Sequence, residues 1–421
     1  MSARLSTTSL PFLAVITAAL TNGCDSQNAP GATVTVAASD SVGVTIVWNG
    51  EGRWSEAEAW KVPDKPQLTI GVLDGDAEYQ FFDISAAARQ SDGDLVVADA
   101  GSRAVRLYDR DGVFERTLGG PGSGPGEFED PTQILVPADD SVFVWDDAAF
   151  RITKFDSNGA FVGVRDVSRS EIANAVAPPL YPATGVLLPG GGLLVRLIQK
   201  SKGLPATPRF RSSSGALRVS ADLAQIETVM LFGDAEQVVV DSPWGPLAVT
   251  PALAMTASIA VQSSEARTCI GDQEGPQVMC FGPDGSRTAV RWRATPTAVA
   301  ANDPDVVAWR EAALDVYGQK LSPDEAHRLV SQIPVPTTRP EYSGILLDRD
   351  GNLWVTRGPS GSGESRVIEH LVFDPAGAFL GAVSMPPVRV LEIGPDHVLG
   401  VHQDELEVQY VQVFEIVKPA F

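Results

Sequence analysis

Residues 92–99 read DGDLVVAD and residues 104–119 read AVRLYDRDGVFERTLG, and nearly the same pattern begins again at residue 139. The second copy reads DDSVFVWD over residues 139–146 and RITKFDSNGAFVGV over residues 151–164. Each copy contains three short apolar stretches of β-strand type, and an acidic turn with glycine or asparagine precedes the last of them. Strand-built repeats of this length are typical of the blades of a β-propeller.

Further copies of the pattern predict an all-β fold with six four-stranded antiparallel blades. The first blade covers residues 82–119 and the second continues to about residue 167. The later blades are centred on residues 184–219, 268–292, 345–382 and 388–414. The third blade is the loosest, because the polar residues 199–214 separate its middle strands. Blades of this kind stack around one axis, so one domain accounts for most of the 421 residues.

The sixth blade ends one strand short, which predicts how the ring closes. The segment Leu68–Gly71 resembles residues 117–119, the outer strand of the first repeat. We therefore expect the N-terminal segment to supply the outer strand of blade six, since closure removes an exposed sheet edge. The strand-like segment Val44–Trp48 is expected to add to the same edge.

Composition agrees with a fold of many short strands and excludes one class of partner. Hydrophobic residues make up 44% of the chain and charged residues 20%, with 39 glycines and 31 prolines for turns. The net charge is −21, from 53 acidic and 32 basic residues. Nucleic acid is not an expected partner, because binding its backbone requires clustered lysine and arginine. The acidity itself is typical of a soluble surface.

The first residues indicate export from the cytoplasm. Residues 10–20 form an apolar run of the length of a signal-peptide core, too short for a membrane-spanning helix. The following Thr21–Cys24 resembles the lipobox of bacterial lipoproteins, which implies an acylated Cys24 and a membrane anchor at the cell envelope. The alternative is an ordinary cleaved export signal. We assign residues 1–24 to the signal peptide, 25–40 to a tether and 41–421 to the propeller.

Two other cysteines flank a predicted hairpin. Cys269 and Cys280 lie on either side of the turn at residues 272–276, so they are expected to face each other on neighbouring strands. Outside the cytosol such a pair usually forms a disulfide. Two free thiols remain the alternative. A metal site is less favoured, because no further Cys or His lies nearby.

One stretch breaks the β pattern between blades four and five. Residues 302–333 predict two helices, the first capped by Asp303 with Pro304 in its first turn. The second helix opens at Ser322 with a capping box that includes Glu325. The insertion lies on the propeller face where ligands often bind, so it is either a lid or docking element or a packing element over a blade edge.

Positions at the equivalent ends of the second strands are candidates for a ligand site at the mouth of the central channel. Six residues occupy these positions: Asp99, Asp146, Arg196, Asp272, Arg357 and His402. A ring with both signs of charge suits a polar or charged ligand. The competing interpretation is that these side chains cap strand ends and bond to neighbouring blades.

The glycine-rich segment Phe114–Pro131 resembles the signature of NHL-type six-bladed propellers. With the leader and the blade spacing, the chain is similar to the six-bladed β-propeller lipoproteins of Gram-negative bacteria. The resemblance implies the fold and gives little indication of function. Residues 119–126 lack the Gly-Lys-Ser/Thr continuation of a phosphate-binding loop, so we interpret them as a turn between blades.

Catalytic patterns are weak in this sequence. The four histidines, at positions 327, 370, 397 and 402, form no close pair at helical spacing, and no Ser-His-Asp order is evident. Residues 348–352 resemble a calcium loop only superficially, because the glycine is one position early, and a hairpin turn is expected. We therefore assign no catalytic residue and no metal ligand.

These features favour a binding or scaffolding module over an enzyme. The expected partner is a protein, peptide or glycan at the cell envelope, and the expected state is a monomer without a cofactor. The alternative is a divalent-metal-dependent hydrolase or lyase of the lactonase type. Such an enzyme would hold Ca²⁺ or Zn²⁺ at the channel mouth, with Asp99, Asp146, Asp272 and His402 as ligands.

Overall fold

The computed structural model describes residues 36–40, 43–176, 179–200, 203–205, 207–357 and 367–419. The predicted signal peptide, Cys24 and most of the predicted tether lie outside these ranges. No helix within them is long and apolar enough to cross a bilayer. The strands that they contain form six sheets, which are the six blades of a β-propeller.

Three strands precede the first complete blade and belong to sheets formed much later in the chain. They are β1 (Val36–Asp40), β2 (Thr45–Asn49) and β3 (Leu68–Ile70). A short 3-10 turn at Ala77–Tyr79 then leads into blade one.

Blades one and two have four antiparallel strands each, as the repeat predicts. Blade one contains β4 (Ile84–Arg89), β5 (Leu95–Asp99), β6 (Ala104–Tyr108) and β7 (Phe114–Gly119). Blade two contains β8 (Pro131–Leu135), β9 (Val142–Asp146), β10 (Arg151–Phe155) and β11 (Phe161–Asp166). Every residue of β5 and β6 is buried, because both faces of the sheet pack against neighbouring segments.

Blade three departs from the predicted four strands. After the short helix α1 (Arg169–Ala175), it contains β12 (Leu180–Leu187), β13 (Leu193–Gln199), β14 (Arg209–Val219), β15 (Ile226–Ser242) and β16 (Gly245–Val249). The 17-residue β15 continues past the end of the blade and forms a hairpin with β16. Residues predicted to be a polar excursion are therefore partly strand, since Gln199 ends β13 and Arg209 begins β14.

Blade four contains the cysteine hairpin. Its own strands are β17 (Ser258–Val261), β18 (Thr268–Gly271), β19 (Gln277–Phe281) and β20 (Arg287–Trp292). Cys269 and Cys280 are register partners with Cα atoms 4.1 Å apart, and a disulfide joins them. Both cysteines are buried among the hydrophobic residues of the blade.

The insertion after blade four is helical, as predicted. It consists of α2 (Pro304–Gly318) and α3 (Pro323–Ser331). The Asp303 carboxylate accepts a hydrogen bond from the backbone N–H of Asp305, and Glu325 accepts one from the backbone N–H of Ser322. Leu329 and Val330 are buried against the β15–β16 hairpin of blade three. The insertion therefore packs on that extended hairpin.

The last two blades complete the ring. Blade five contains β21 (Gly344–Leu347), β22 (Leu353–Thr356), β23 (Ile368–Phe373) and β24 (Phe379–Met385). Blade six contains β25 (Arg389–Ile393), β26 (His397–Gln403) and β27 (Gln409–Glu415). The fourth strand of blade six is β3, which pairs antiparallel with β27. The predicted closure by the N-terminal segment is confirmed.

The prediction for Val44–Trp48 is wrong. Strand β2 pairs parallel with β20, so it extends blade four to six strands with β1 at the edge. The Asn49 amide donates to the carbonyl of Gly377 at 2.9 Å, and Val47 is buried, so this segment also fills the junction with blade five. The tether assigned to residues 25–40 is too long at its C-terminal end, because residues 36–40 form β1.

The N-terminal segment runs along the outer edges of three blades in turn. After β2 on blade four, the N–H of Trp54 donates to Leu380 of blade five at 2.8 Å. The segment then reaches blade six, where Lys61 bridges to Val417 before β3 begins. We call this segment, residues 43–70, the N-terminal belt.

The propeller has two faces, which differ in the strand connections that they carry. On the crossover face, the outer strand of one blade connects to the inner strand of the next. On the opposite face, which we call the hairpin face, the first strand of each blade turns into the second. The helical insertion follows β20 and precedes β21, so both of its ends join the crossover face.

Candidate functional site: a cleft between blades four and five

Asp99 and Asp146, two of the predicted ring residues, are fully buried strand-end caps. Asp99 accepts a hydrogen bond of 2.8 Å from the backbone N–H of Asp83. Asp146 accepts one of 2.8 Å from the N–H of Glu129 and one of 3.1 Å from that of Asp130. Each carboxylate thus fixes the crossover that enters its own blade, which is a structural role.

An arginine on the next strand neutralises each of these carboxylates. Arg106 Nη1 lies 3.5 Å from Asp99 Oδ2, and Arg151 Nε lies 4.0 Å from Asp146 Oδ2. Arg151 also donates to the carbonyls of Ser123 at 2.7 Å and Glu127 at 2.6 Å. The glycine-rich loop is therefore a crossover between blades one and two that Arg151 holds in place, as the turn interpretation predicted.

The other four predicted ring residues do not meet. Arg196 pairs with Asp234, and Asp272 accepts a hydrogen bond from the N–H of Glu274 at 3.2 Å. His402 lies beside the ring of Tyr410 with centroids 6.2 Å apart. The side chains of these residues are held within their own blades or by an adjacent one, so the prediction of one six-residue site is wrong. Arg357 does reach a cavity, between blades four and five.

The central channel is lined by residues of all six inner strands. Its cavity, of about 250 Å³, is lined by aliphatic side chains such as Ile134 and Leu187 and by polar or charged ones such as Gln133, Arg349 and Glu392. None of the six predicted ring residues is among the described residues that line it. The charged side chains that do line it, Arg349 and Glu392, pair with each other, so the channel is not the site that the ring positions predicted.

An ion-pair network lies at the hairpin face of the channel. Arg349 donates to the carbonyl of Arg89 at 2.6 Å and to Glu392 Oε2 at 3.0 Å. The other oxygen of Glu392 is 2.9 Å from His397 Nε2. These contacts join blades five, six and one, so their role is to hold the ring together at this end.

A cavity with charged side chains lies on the crossover face between blades four and five. It consists of two adjoining parts, of about 480 Å³ and about 320 Å³, which share Glu341, Arg357 and Glu369. We call it the blade-four/five cleft. Its further polar lining includes Thr256, Gln273, Thr297, Asp305, Arg339, Tyr342, Ser343, Arg293 and Thr295. Together the two parts reach the size of small-molecule and peptide sites.

An exposed ion pair occupies the centre of the cleft. Arg357 Nη1 lies 2.8 Å from Glu369 Oε2, and the two side chains are 42% and 37% exposed. Their backbones are also joined, since the N–H of Arg357 donates to the carbonyl of Glu369 at 2.8 Å. An exposed pair of this kind contributes little to stability, about 0–1 kcal/mol, so its charges remain available to a ligand.

Tyr342 forms the floor of the cleft. Its side chain is 1% exposed, and its hydroxyl accepts from the N–H of Gln273 at 3.0 Å and donates to the carbonyl of Gln277 at 3.1 Å. Burial raises the pKa of Tyr342, so the hydroxyl stays neutral and serves as a fixed support.

Gln273 places a hydrogen-bond donor at the cleft. Its backbone has φ of 61°, a left-handed conformation that is uncommon for a residue with a side chain. The side chain is 5% exposed, and its Oε1 accepts from the N–H of Thr256 at 2.7 Å. Its Nε2 has no hydrogen-bond partner among the described residues. Because Gln273 lines the cleft, this donor can pair with an acceptor that a ligand supplies.

The start of the helical insertion forms one wall. Arg339 Nη2 lies 2.7 Å from both carboxylate oxygens of Asp303, and Nη1 lies 2.7 Å from Asp305 Oδ2. Burial alone would lower the pKa of Arg339, but the two carboxylates raise it overall. This clamp ties the first turn of α2 to the linker before blade five, so the wall is fixed at this end.

The smaller part of the cleft has an aromatic wall. Trp292 packs against Phe373 with ring centroids 5.5 Å apart, and Phe373 packs against Phe379 at 5.2 Å. Leu371 and Ala382 complete this side. The cleft therefore offers apolar packing beside charges of both signs.

The sequence provided few signals for the cleft. Arg357 was selected from its repeat position, and Gln273 lies next to the selected Asp272. Glu341 and Tyr342 belong to the irregular linker after the helical insertion, where no repeat guides the choice. The remaining signal was the insertion itself, which predicted where the propeller departs from its repeat.

No group of three or more His, Cys, Asp or Glu side chains is arranged to hold a metal ion in the part of the chain that the structure describes. The lactonase-type alternative requires Asp99 and Asp146 as metal ligands. Their carboxylate oxygens instead accept hydrogen bonds from backbone N–H groups and pair with arginines. Their carboxylates therefore do not fit a divalent cation at the channel mouth.

The fold and the strand pairing define this chain as a six-bladed β-propeller. A model of the DUF5128 family, described as a 6-bladed beta-propeller, matches residues 80–177, which include all of blades one and two. No curated protein matches the sequence.

Several solved structures resemble the chain at low sequence identity. A member of the DUF4221 family from Bacteroides vulgatus has a TM-score of 0.49 and 10% identity, over 86% of this chain and 100% of that one. A candidate exported protein from Bacteroides fragilis has a TM-score of 0.45 and 10% identity, over 89% and 100% of the two chains. A gluconolactonase from Xanthomonas campestris has a TM-score of 0.40 and 11% identity, over 85% and 100%.

Proposed function

We propose that this protein is an exported, lipid-anchored binding module that holds a peptide segment in the blade-four/five cleft. The lining of the cleft supports this proposal, because it combines the exposed Arg357–Glu369 pair with the Nε2 donor of Gln273 and an aromatic wall. An extended peptide presents carbonyl acceptors and side chains of either charge. It therefore matches this lining better than a neutral glycan does.

Binding is favoured over catalysis by the state of the charged groups. The carboxylates of Asp99 and Asp146 accept hydrogen bonds from backbone N–H groups that enter their blades, and Tyr342 is a buried neutral phenol. The proposal accordingly includes no metal cofactor. Metal analysis of the dialysed protein is expected to find less than one equivalent of calcium or zinc, whereas a stoichiometric metal would favour the hydrolase alternative.

The binding proposal is tested by reversing the charges of the central pair. In the double variant Arg357→Glu/Glu369→Arg, the pair is retained in reversed order while the charge pattern that a ligand meets is inverted. A library of synthetic peptides is incubated with the immobilised full chain, with the double variant, and with Arg310→Glu. Arg310 lies on the exposed side of α2 and does not line the cleft, so its variant is the matched control.

We expect the wild type and Arg310→Glu to retain the same subset of peptides, and the double variant to lose that subset. Equal retention by all three proteins would contradict the cleft as the site. Retention of envelope glycans in place of peptides would assign the cleft to the other class of ligand.

Export and lipid anchoring are proposed from the leader and from the lipobox-like Thr21–Cys24. Acylation at Cys24 would tether the propeller as a monomer through the residues that precede β1. Cys24→Ser is expected to move the protein from the membrane fraction to the soluble fraction of lysed cells. Unchanged membrane retention of that variant would contradict the lipid anchor without bearing on the cleft.

A further inference from the structure

A second cavity lies on the hairpin face, at the seam where blade six meets blade one. Its volume is about 250 Å³, enough for a group of a few heavy atoms, since a water molecule occupies roughly 30 Å³ of liquid. We call it the seam pocket. It is lined by Gln67, Leu68, Arg89, Gly93, Leu95, Arg110, Asp111 and Val413.

Two arginines at the seam pocket, Arg89 and Arg110, have guanidinium N–H donors without a partner among the described residues. Arg89 has one ion-pair contact among the described residues, at 3.5 Å to Asp396, whose side chain is 74% exposed. Arg110 gives Asp94 only its backbone N–H, at 3.1 Å, and its guanidinium forms no ion pair within the described ranges. Most of the N–H donors of two planar cations are therefore available in a protein whose net charge is −21.

Gly93 leaves the approach to both arginines open. It has φ of +103°, and a side chain there would begin 3.0 Å from Cβ of Arg110 and 3.4 Å from Nη2 of Arg89. Any larger residue would enter the space between the two arginine side chains. The turn after β4 thus keeps both guanidinium groups accessible from one cavity.

We propose that the seam pocket binds a phosphate group between Arg89 and Arg110. Guanidinium groups match the oxygens of a tetrahedral anion with paired N–H donors, which makes arginine the preferred residue for phosphate recognition. Asp111 lines the same pocket and supplies a carboxylate that can accept a hydrogen bond from a P–OH group. Hydrogen phosphate, which retains a proton at neutral pH, satisfies all three groups. Sulfate, which carries no proton, meets repulsion at Asp111.

Phosphate in this pocket also stabilises the closed ring. Gln67 and Leu68 come from the end of the N-terminal belt, Val413 from the last strand, and both arginines from blade one. The walls of the pocket come from segments that are adjacent only in the folded ring, so the complete pocket exists in the native state alone. The melting temperature is then expected to rise with phosphate concentration. This site is independent of the blade-four/five cleft.

The test is titration of the full chain with sodium phosphate, followed by calorimetry and thermal unfolding. Arg110→Gln is the main variant, because Arg110 is exposed and its loss leaves the core intact. Arg89→Gln is the second variant. Arg116→Gln, an exposed arginine on β7 that does not line the pocket, is the matched control. Sodium sulfate and glycerol phosphate are titrated in parallel.

We expect Arg110→Gln and Arg89→Gln each to weaken phosphate binding by about tenfold or more, and Arg116→Gln to leave it unchanged. Tighter binding of glycerol phosphate than of free phosphate would assign the pocket to a headgroup or other phosphomonoester. Weaker binding would assign it to the free ion. Wild-type affinity in Arg110→Gln, equal binding of sulfate, or no binding at millimolar phosphate would overturn the proposal.

Discussion

The hydroxyl oxygen of Tyr342 lies 2.5 Å from the point where a side chain on Gly271 would begin. Gly271 is the last residue of β18, and the ring of Tyr342 occupies the space above it, with its hydroxyl bonded to Gln273 and Gln277. The floor of the blade-four/five cleft therefore depends on the absence of one methyl group.

Gly271→Ala is expected to push Tyr342 away from Gln273 and to deform the cleft floor. Overpacking of this kind costs about 1–3 kcal/mol, so the free energy of unfolding should fall by that amount and peptide binding should weaken. Gly344→Ala is the control, because the nearest atom to its added methyl would be Thr356 Oγ1 at 3.8 Å. Equal urea midpoints for the two variants would show that Tyr342 does not depend on Gly271.

Closure of the ring by the N-terminal belt is tested at Ile70. This residue is 2% exposed and packs with Phe81, Ile84 and Val411 at the joint of blades six and one. Ile70→Ala should lower the free energy of unfolding by about 2–5 kcal/mol, as for other buried aliphatic residues. Leu73→Ala, three residues later and 57% exposed, should change it by less than about 0.5 kcal/mol. Similar urea midpoints for both variants would contradict the closure.

Stability should depend on pH through His370. Burial lowers the pKa of His370 to about 4, whereas a histidine in the unfolded chain titrates near about 6.5. The unfolded state thus binds more protons between these values, so stability is complete above about pH 6.5 and falls as pH is lowered toward about 4. The loss from this residue is about 3 kcal/mol.

We therefore expect the free energy of unfolding of His370→Gln to fall less than that of the wild type between neutral pH and about pH 4, as measured by urea unfolding. The exposed His327 on α3 provides the control, and His327→Gln should follow the wild type. If the stability of His370→Gln depends on pH as that of the wild type does, His370 is not the buried neutral group that causes the loss.

The disulfide should contribute to stability because it closes a loop in the unfolded chain. For a loop of the size between Cys269 and Cys280, the expected contribution is about 3 kcal/mol. Dithiothreitol should lower the melting temperature of the wild type. It should have no effect on Cys269→Ala/Cys280→Ala, which starts from the lower value. A wild-type melting temperature that is insensitive to full reduction would contradict this role.

Blade architecture was predictable from the sequence because each repeat must bury the same faces against its neighbours. This requirement is visible in the apolar strands of residues 95–99 and 142–146. The missing outer strand of blade six predicted that Leu68–Ile70 would fill its place. The position of β2 was not predictable in this way. A short apolar strand fits any open edge, and its place on blade four depends on the junction that Val47 and Asn49 fill.

The candidate site was less predictable for a related reason. The repeat predicts the position of a residue in its blade but not the groups that its side chain contacts. Asp99 and Arg357 therefore appeared equally good candidates for the ligand site. The Asp99 carboxylate accepts hydrogen bonds from local backbone N–H groups and pairs with Arg106, so it is not available to a ligand. Arg357 pairs with the exposed carboxylate of Glu369. The rest of the cleft comes from the linker at residues 339–343, which no repeat pattern predicts and which is held where the N–H of Arg339 donates to the carbonyl of Thr297 at 2.8 Å.

The most direct test of the cleft as a peptide site is photo-crosslinking. A photoreactive phenylalanine analogue replaces Ser343, an exposed residue of the cleft, and in a second protein replaces Asp350, which is exposed on the hairpin face. After irradiation with envelope extract, peptide adducts are identified by mass spectrometry. If the cleft binds peptides, we expect peptide adducts from position 343 and none from position 350. Equal labelling at both positions, or no peptide at position 343, would contradict it.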